Sequence, residues 1–235
     1  MKNKLLIVIS AIFLTYFFII PNAIASEDNR ELITDVFKEK GSINTAKYEG
    51  VDGHHCTAVM LTPTVGLTAK HCKDGEFEEG NIGKVYPGES GLATEAGNIT
   101  VSTFNPYSTE DIALIKGSNP TPAYSYYMKD VKLSVRGVKP SDLNGKSVYS
   151  IGYPAEKSGY KQYKTRGKIT SVNGEKSIQT TLQSSAGQSG SGVFLEENDQ
   201  LIGILVQGNL DGSNVVLINS QISNWIQTKS DYLPF

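Results

Sequence analysis

The chain has 235 residues, and its 22 Lys and Arg against 24 Asp and Glu give a formal net charge of −2. A hydrophobic share of 39%, a charged share of 20% and only 2 Cys exclude extended disorder, a collagen-like repeat and a dense disulfide scaffold. The near-neutral charge argues against a dedicated nucleic-acid binder, which carries a strong basic excess.

The first 25 residues have the organisation of a secretory signal peptide. Lys2 and Lys4 precede an apolar run over residues 5–20, and the run is followed by the small residues Ala23 and Ala25. A basic start, an apolar centre and a small-x-small end predict cleavage after Ala25. The alternative is an uncleaved membrane anchor, which needs about 20 apolar residues and so a longer run than this one. We therefore expect a secreted protein without membrane association once the peptide is removed.

Residues 26–45 are mostly polar, and three interpretations stay open for them. They are a short amphipathic helix, a propeptide, or the leading edge of the domain. From residue 46 onwards the sequence is typical of an all-β protein, because short runs rich in β-branched residues alternate with clusters of turn residues. The predicted strands are residues 58–61, 65–68, 112–115, 148–151, 169–172, 193–195, 201–206 and 215–218.

Helical periodicity is clear only near the end of the chain. Asn219 or Ser220 can cap a helix that carries Ile222, Trp225 and Ile226 on one face. Many strands and one terminal helix predict a sandwich or a barrel. Residues 120–132 have the composition of a connector that divides the chain into two halves of similar size.

The first of three segments with catalytic potential is Gly66-Leu-Thr-Ala-Lys-His71-Cys72. A histidine directly after an apolar strand can be held at the edge of a cleft as general base for a serine, although a structural or merely exposed histidine is the alternative. Cys56 and Cys72 are the only cysteines, and in an exported protein we predict a disulfide between them. Two free buried thiols are the alternative; zinc is disfavoured because few further ligands lie nearby, and we predict no metal.

The other two segments supply an acid and a nucleophile. Asp111 opens an apolar strand, where its charge needs a partner such as a histidine N–H, although a strand-edge turn residue is an equal alternative. Ser189 lies among glycines directly before a strand, which suits a nucleophile on a tight turn. The backbone N–H groups of Gly187 and Ser189 would then converge on an oxyanion, whereas the alternative is a plain Gly/Ser turn.

The three segments occur in the order His71, Asp111, Ser189, with gaps of 40 and 78 residues. In this order the sequence resembles the chymotrypsin-fold, or trypsin-like, serine proteases. Gly152-Tyr-Pro, residues 167–170 and residues 202–204 are similar to bacterial glutamyl endopeptidases of the staphylococcal type. The resemblance runs from about Cys56 to Trp225 and is weak before that.

The resemblance implies two six-stranded antiparallel β-barrels, an N-terminal one over residues 46–130 and a C-terminal one with the terminal helix over residues 131–235. It also implies that Ser189 is the nucleophile, His71 the general base and then acid, and Asp111 the residue that orients the imidazolium. Gly187 and Ser189 would form the oxyanion hole. A monomer would hydrolyse protein or peptide substrates through an acyl-enzyme, without a cofactor. An inactive binding or adhesion module of the same fold is the alternative.

The substrate pocket departs from the pattern of the glutamyl endopeptidases. Those enzymes place a histidine for the substrate carboxylate where this sequence has Leu205. Gln183 and Ser184 at the pocket floor bring no charge, Asn214 stands where many relatives have glycine, and Val206-Gln207 replaces a polar-aromatic pair. We therefore predict a restricted pocket for an uncharged residue, which favours a narrow substrate range, such as one host protein, over general digestion.

The resemblance also raises the question of activation. Relatives of this type release a new N-terminus that buries its amine and shapes the pocket. Arg30-Glu31 is the only arginine candidate for such a processing site in this sequence.

Overall fold

The computed structural model describes residues 26–90 and 96–230, so the predicted signal peptide lies outside the described residues. These residues form thirteen β-strands and two α-helices. Neither helix has the length and apolar character needed to span a membrane.

Six strands form the first barrel, and their hydrogen-bonded order is β2-β3-β4-β7-β6-β5, with β5 pairing to β2 so that the ring closes. All pairs are antiparallel. The strands are β2 (Thr45–Gly50), β3 (His55–Met60), β4 (Val65–Thr68), β5 (Glu78–Pro87), β6 (Ile99–Pro106) and β7 (Ala113–Ser118).

Six further strands form the second barrel in the order β8-β9-β10-β13-β12-β11, and β8 pairs with both β9 and β11 to close it. They are β8 (Ser147–Gly152), β9 (Tyr163–Asn173), β10 (Ser177–Thr180), β11 (Gly192–Leu195), β12 (Leu201–Asn209) and β13 (Gly212–Leu217). The predicted fold of two six-stranded antiparallel barrels is therefore confirmed. Each predicted strand overlaps one of these strands.

The predicted terminal helix is confirmed as α2 (Ser220–Ser230). Its cap is Asn219, whose Oδ1 accepts a hydrogen bond from the Ile222 N–H at 2.9 Å. Ile222 and Ile226 are buried, and Trp225 packs against the main hydrophobic cluster. The connector contains a second, short helix, α1 (Pro122–Met128), which begins with proline at its first turn.

The residues before the first barrel pack onto the second one. The short strand β1 (Glu31–Leu32) pairs with the start of β9, and the Ile33 N–H donates to the Gln162 carbonyl at 2.9 Å. The side chains of Ile33 and Val36 are buried in the main hydrophobic cluster. Residues 26–44 contain no helix, so the helical interpretation of this segment is wrong. They pack instead against the second barrel, which agrees with the interpretation of these residues as the leading edge of the domain.

Candidate active site

The three predicted catalytic residues come from three loops and both barrels. His71 lies in a 3₁₀ turn (Lys70–Cys72) that follows β4, and Asp111 lies in the loop between β6 and β7. Both therefore belong to the first barrel. Ser189 lies in the loop between β10 and β11 of the second barrel. The backbone of Ser189 is hydrogen-bonded to the first barrel, because the Thr57 N–H of β3 donates to the Ser189 carbonyl at 2.8 Å.

Asp111 holds His71 through both carboxylate oxygens. Its Oδ2 lies 2.6 Å from His71 Nδ1, and its Oδ1 accepts the His71 backbone N–H at 2.9 Å. An ionised carboxylate only accepts hydrogen bonds, so Nδ1 carries the proton and Nε2 keeps its lone pair. This is the tautomer that a general base for a serine requires.

The pair also shifts both ionisations. The hydrogen bond that His71 donates to Asp111 raises the pKa of His71 above its ordinary value, and burial opposes that rise without cancelling it. Burial raises the pKa of Asp111, but the hydrogen bonds from His71 outweigh burial, so that the net pKa lies below the ordinary value. Asp111 is therefore ionised wherever His71 is near its own titration, and the proton stays on the imidazole.

The Ser189 hydroxyl makes its hydrogen bond to the Val206 carbonyl, at 3.4 Å. Among the hydrogen bonds of residues 26–90 and 96–230, none joins Ser189 Oγ to His71. Catalytic hydrogen bonds are often long or absent before substrate binds. A rotation about the Cα–Cβ bond of Ser189 is the movement that would exchange Val206 for His71 as its partner.

The turn before Ser189 orients two backbone N–H groups. The Ala186 carbonyl accepts the Ala155 N–H at 2.8 Å, and the Gln188 carbonyl accepts the Ser191 N–H at 3.1 Å. In a trans peptide the C=O and N–H point in opposite directions, so the N–H groups of Gly187 and Ser189 point away from these partners. Neither donates a hydrogen bond within the described part of the chain. Both are thus available for an oxyanion.

Thr57 of the first barrel holds this turn in place through hydrogen bonds of its side chain. Thr57 Oγ1 donates to the Gly187 carbonyl at 2.8 Å and accepts the Tyr153 N–H at 3.1 Å. Gly190 has a φ of +91°, and a Cβ there would lie 1.9 Å from the Thr57 carbonyl oxygen. The close approach of the two barrels next to Ser189 therefore requires glycine at position 190.

Gly190→Ala is expected to lower the free energy of unfolding by about 3 kcal/mol or more, because the new methyl group adds a backbone clash to an unfavourable φ. Gly145→Ala is the matched control, since Gly145 has a φ of +77° and a Cβ there would have no atom within 4 Å. That variant is expected to lose only ~1 kcal/mol. Urea denaturation measures both values, and equal losses would contradict the clash.

The predicted disulfide is confirmed between Cys56 of β3 and Cys72 in the turn that carries His71. One ligand atom from each of Cys56, Cys72 and His71 lies within 4.8 Å of the others. The two sulfurs are bonded to each other, however, so neither offers a thiolate to a metal ion. The bridge instead attaches the turn of the candidate base to the neighbouring strand.

The predicted pocket residues fall into two groups. Ser184 Oγ lies 2.8 Å from Ser213 Oγ, and both hydroxyls lie beside Gly208, where a Cβ would come within 2.3 Å of each. Leu205 is buried in the cluster inside the second barrel. Val206 and Gln207 follow it on β12, where the pairing register with β13 shifts. No side chain of this group carries a charge, and Ser184, Gly208 and Ser213 are small.

Gln183 and Asn214 have other contacts. The Gln183 amide is buried and binds the N-terminal segment: Nε2 donates to the Glu27 carbonyl at 2.7 Å, and Oε1 accepts the Asn29 N–H at 2.6 Å. Asn214 Oδ1 accepts from Gln179 at 3.4 Å, on the face of β13 opposite to that of Ser213. Both amides are thus engaged with groups other than the Ser184–Ser213 pair.

Sequence reasoning missed the residues that support the turn formed by residues 185–189. Thr57, Arg30, Glu156 and Gln188 contact the turn or one another through side chains, and all but Gln188 are distant from it in sequence. Only Gln188, which directly precedes Ser189, lies in a motif that the sequence singled out; its burial, and with it the need of its Oε1 for a donor such as Arg30, is seen only in the folded chain.

The chain is similar to known proteins in both sequence and fold. Residues 38–226 match the protein family described as Trypsin. The chain is 28% identical over 221 residues to a glutamyl endopeptidase of Staphylococcus aureus (strain MW2), covering 91% of this chain and 66% of that protein. It is 27% identical to a glutamyl endopeptidase of strain MRSA252, covering 91% of this chain and 60% of that protein.

The fold has a counterpart among solved structures. A structure of Glu endopeptidase in complex with MPD superposes with a TM-score of 0.73 at 20% identity, covering 88% of this chain and 98% of that one. At that identity the likeness concerns the fold. The chain spans 60–66% of the length of the two curated relatives.

Proposed function

The chain belongs to the trypsin family, and on that premise we propose that it is a secreted serine endopeptidase. The observation that carries the proposal is the contact of both Asp111 oxygens with His71, at 2.6 and 2.9 Å, because it selects the tautomer of a general base. Conservation of a fold does not by itself imply activity, so the proposal rests on this site and not on the barrels.

In the proposed reaction His71 Nε2 removes the proton of Ser189 Oγ as that oxygen attacks the scissile carbonyl. The carbonyl oxygen becomes an oxyanion, and the N–H groups of Gly187 and Ser189 stabilise it. His71 then gives its proton to the leaving amine, which leaves an acyl group on Ser189. Water, deprotonated by the same imidazole, attacks the acyl carbon; the bond from that carbon to Ser189 Oγ breaks, and the imidazolium returns the proton to Oγ, which releases the acid and free Ser189. Asp111 stabilises the imidazolium in both halves of the reaction.

The proposed substrate residue before the scissile bond is small and uncharged. The hydroxyls of Ser184 and Ser213 with Gly208 support this, and Leu205 contributes no charge where a histidine would receive a carboxylate. A carboxylate moved into such a site would lose its hydration without gaining a cationic partner. The curated relatives are named glutamyl endopeptidases, but strict glutamate specificity is not what we propose for this chain.

The proposal includes the organisation of the chain. Residues 1–25 are proposed to be the signal peptide, residues 26–45 an N-terminal segment, and residues 46–130 and 131–235 the two barrels of one monomeric enzyme. Protein or peptide substrates are its proposed partners.

Digestion of a defined peptide library, with cleavage sites identified by mass spectrometry, tests the function. We expect the secreted protein to cut after small neutral residues and the Ser189→Ala variant to cut nowhere. Sharp cleavage after glutamate would overturn the proposed specificity. A folded protein that cuts no peptide would favour the inactive binding module.

A further inference from the structure

We propose that Arg30 is a positioning residue that holds the nucleophile turn, residues 185–189, in its oxyanion-binding conformation. The proposal rests on the proposed function, since it names the group on which the geometry of that site depends. Arg30 lies in the segment directly after the predicted signal peptide, 155 residues or more from the turn. In the sequence alone it is recognisable only as a candidate processing site.

Arg30 is a buried charge whose donors are all used. Its side chain is 3% exposed. Three of its hydrogen bonds go to carboxylates: Nε lies 2.9 Å from Asp28 Oδ1, and Nη2 lies 3.0 Å from Asp28 Oδ2 and 2.6 Å from Glu156 Oε1. The carboxylates offset the cost of burying the guanidinium. An arginine exposed to water stays hydrated and would not need these carboxylate partners.

The remaining donor group reaches the nucleophile turn. Nη1 lies 2.7 Å from Ser185 Oγ and 2.8 Å from Gln188 Oε1. Gln188 Oε1 also accepts the Ser185 backbone N–H at 3.0 Å, so one guanidinium nitrogen joins the first and fourth residues of the turn. Gly187 and Ser189, the proposed oxyanion donors, lie within and directly after these four residues. Losing Arg30 would leave a buried amide oxygen with fewer partners beside the nucleophile.

Glu156 completes the connection from the other side. Its Oε2 accepts a hydrogen bond from Ser185 Oγ at 2.6 Å while its Oε1 binds Arg30. Glu156 follows Ala155, whose N–H holds the Ala186 carbonyl at 2.8 Å. The same short 3₁₀ turn, Ala155–Lys157, therefore fixes both the peptide before Gly187 and the guanidinium.

The segment that carries Arg30 is itself anchored. Gln183 binds the backbone of Glu27 and Asn29, and β1 pairs with β9 directly after Arg30. Cleavage between Arg30 and Glu31 would separate the guanidinium from the strand that positions it. Such cleavage should therefore inactivate the enzyme. Removal of the signal peptide after Ala25, in contrast, leaves Arg30 attached to β1 and keeps its contact with the turn.

Arg30→Ala, Arg30→Lys and the control Arg166→Ala test the proposal. Arg166 lies on β9 and binds Glu31 of the same N-terminal segment at 2.9 Å, but its contacts do not reach the turn. We expect Arg30→Ala to lower kcat about 100-fold with little change in KM, because a small misplacement of reacting groups costs that much. Arg30→Lys should lose about 10-fold, since lysine keeps the charge but not the planar fork. Arg166→Ala should keep wild-type kcat.

Two further readouts separate positioning from general stability. Ethylguanidinium should restore part of the kcat of Arg30→Ala and change nothing in Arg166→Ala. Hydrogen exchange, which needs no activity, should become faster in residues 183–191 of Arg30→Ala while the barrel strands stay protected. If Arg30→Ala does not fold, Arg30→Lys and Glu156→Gln carry the same measurements.

Wild-type kcat and wild-type exchange in the Arg30 variants would overturn the proposal. Equal losses in Arg30→Ala and Arg166→Ala would also overturn it, because docking of the segment rather than the guanidinium would then be the cause. If the wild-type protein itself cleaves nothing, the proposed function fails, and the exchange of residues 183–191 still decides whether Arg30 holds the turn.

Discussion

Ser189→Ala is expected to lower kcat by about 10⁶-fold, because it removes the proposed nucleophile, and to leave the fold unchanged, because the lost hydroxyl makes a single long hydrogen bond of 3.4 Å. His71→Ala should lose a similar factor, and the double variant should be no slower than either single variant. We expect the two residues to act as one unit, so that once one of them is absent, removal of the other causes no further loss of rate. Single-turnover hydrolysis of a cleaved peptide measures all three rates.

Ser191→Ala is the matched control for the nucleophile. Ser191 lies two residues further along the same loop, and its buried hydroxyl has no hydrogen-bond partner within the described part of the chain. Its removal should leave kcat close to the wild-type value. Losses that multiply in the Ser189/His71 double variant would contradict a shared role for the two residues.

Asp111→Asn is expected to lower kcat by about 10⁴-fold, because the asparagine amide no longer selects the imidazole tautomer with its proton on Nδ1. The pH profile should change as well. In the wild-type protein Asp111 raises the pKa of His71, so activity that needs neutral His71 is lost as the pH falls through this raised value. Without the carboxylate the pKa of His71 falls, and the acid limb of kcat/KM should move to lower pH.

Glu110→Gln is the control for charge alone. Glu110 precedes Asp111, and its carboxylate contacts Lys176 at 3.7 Å and not His71. The variant removes the same charge one residue away, and the acid limb should stay where it is in the wild-type protein. An equal shift in both variants would show that net charge, and not the Asp111 contact, sets the pKa of His71.

The strands that the sequence predicted are those with continuous apolar runs. Val65–Thr68 was predicted with its observed bounds from a run of apolar and β-branched residues, and all four residues are buried in the structure. The missed strand β5 has Glu78, Glu79, Asn81 and Lys84 among its ten residues, and only part of it is buried. Such a strand is specified by its pairing with β2 and β6 in the closed barrel, which no local pattern encodes.

Burial of charge was likewise invisible in the sequence. Lys47 of the missed strand β2 is buried because Glu89 lies 3.0 Å from its Nζ and the ring of Tyr160 lies 4.3 Å from it. Read locally, a lysine in this position indicates a solvent-exposed strand edge. The partner residues are 42 and 113 positions away.

The candidate site likewise consists of residues that the sequence predicted and of supporting residues that it did not predict. His71, Asp111 and Ser189 were predicted because each lies in a short motif and the three motifs have a recognisable order. The residues that support them act through contacts across 126 to 158 positions, as Arg30 does with Glu156 and Gln188. Only the folded chain brings these side chains together.

Labelling with a fluorophosphonate probe tests the central claim most directly, because the probe reacts only with a serine whose hydroxyl is activated by a base and whose oxyanion is stabilised. The wild-type protein should take up one probe per chain, with the adduct mapped by mass spectrometry to Ser189, and the Ser189→Ala variant should take up none. A correctly folded wild-type protein that stays unlabelled, or one that is labelled equally in the variant, would contradict a catalytic role for His71, Asp111 and Ser189.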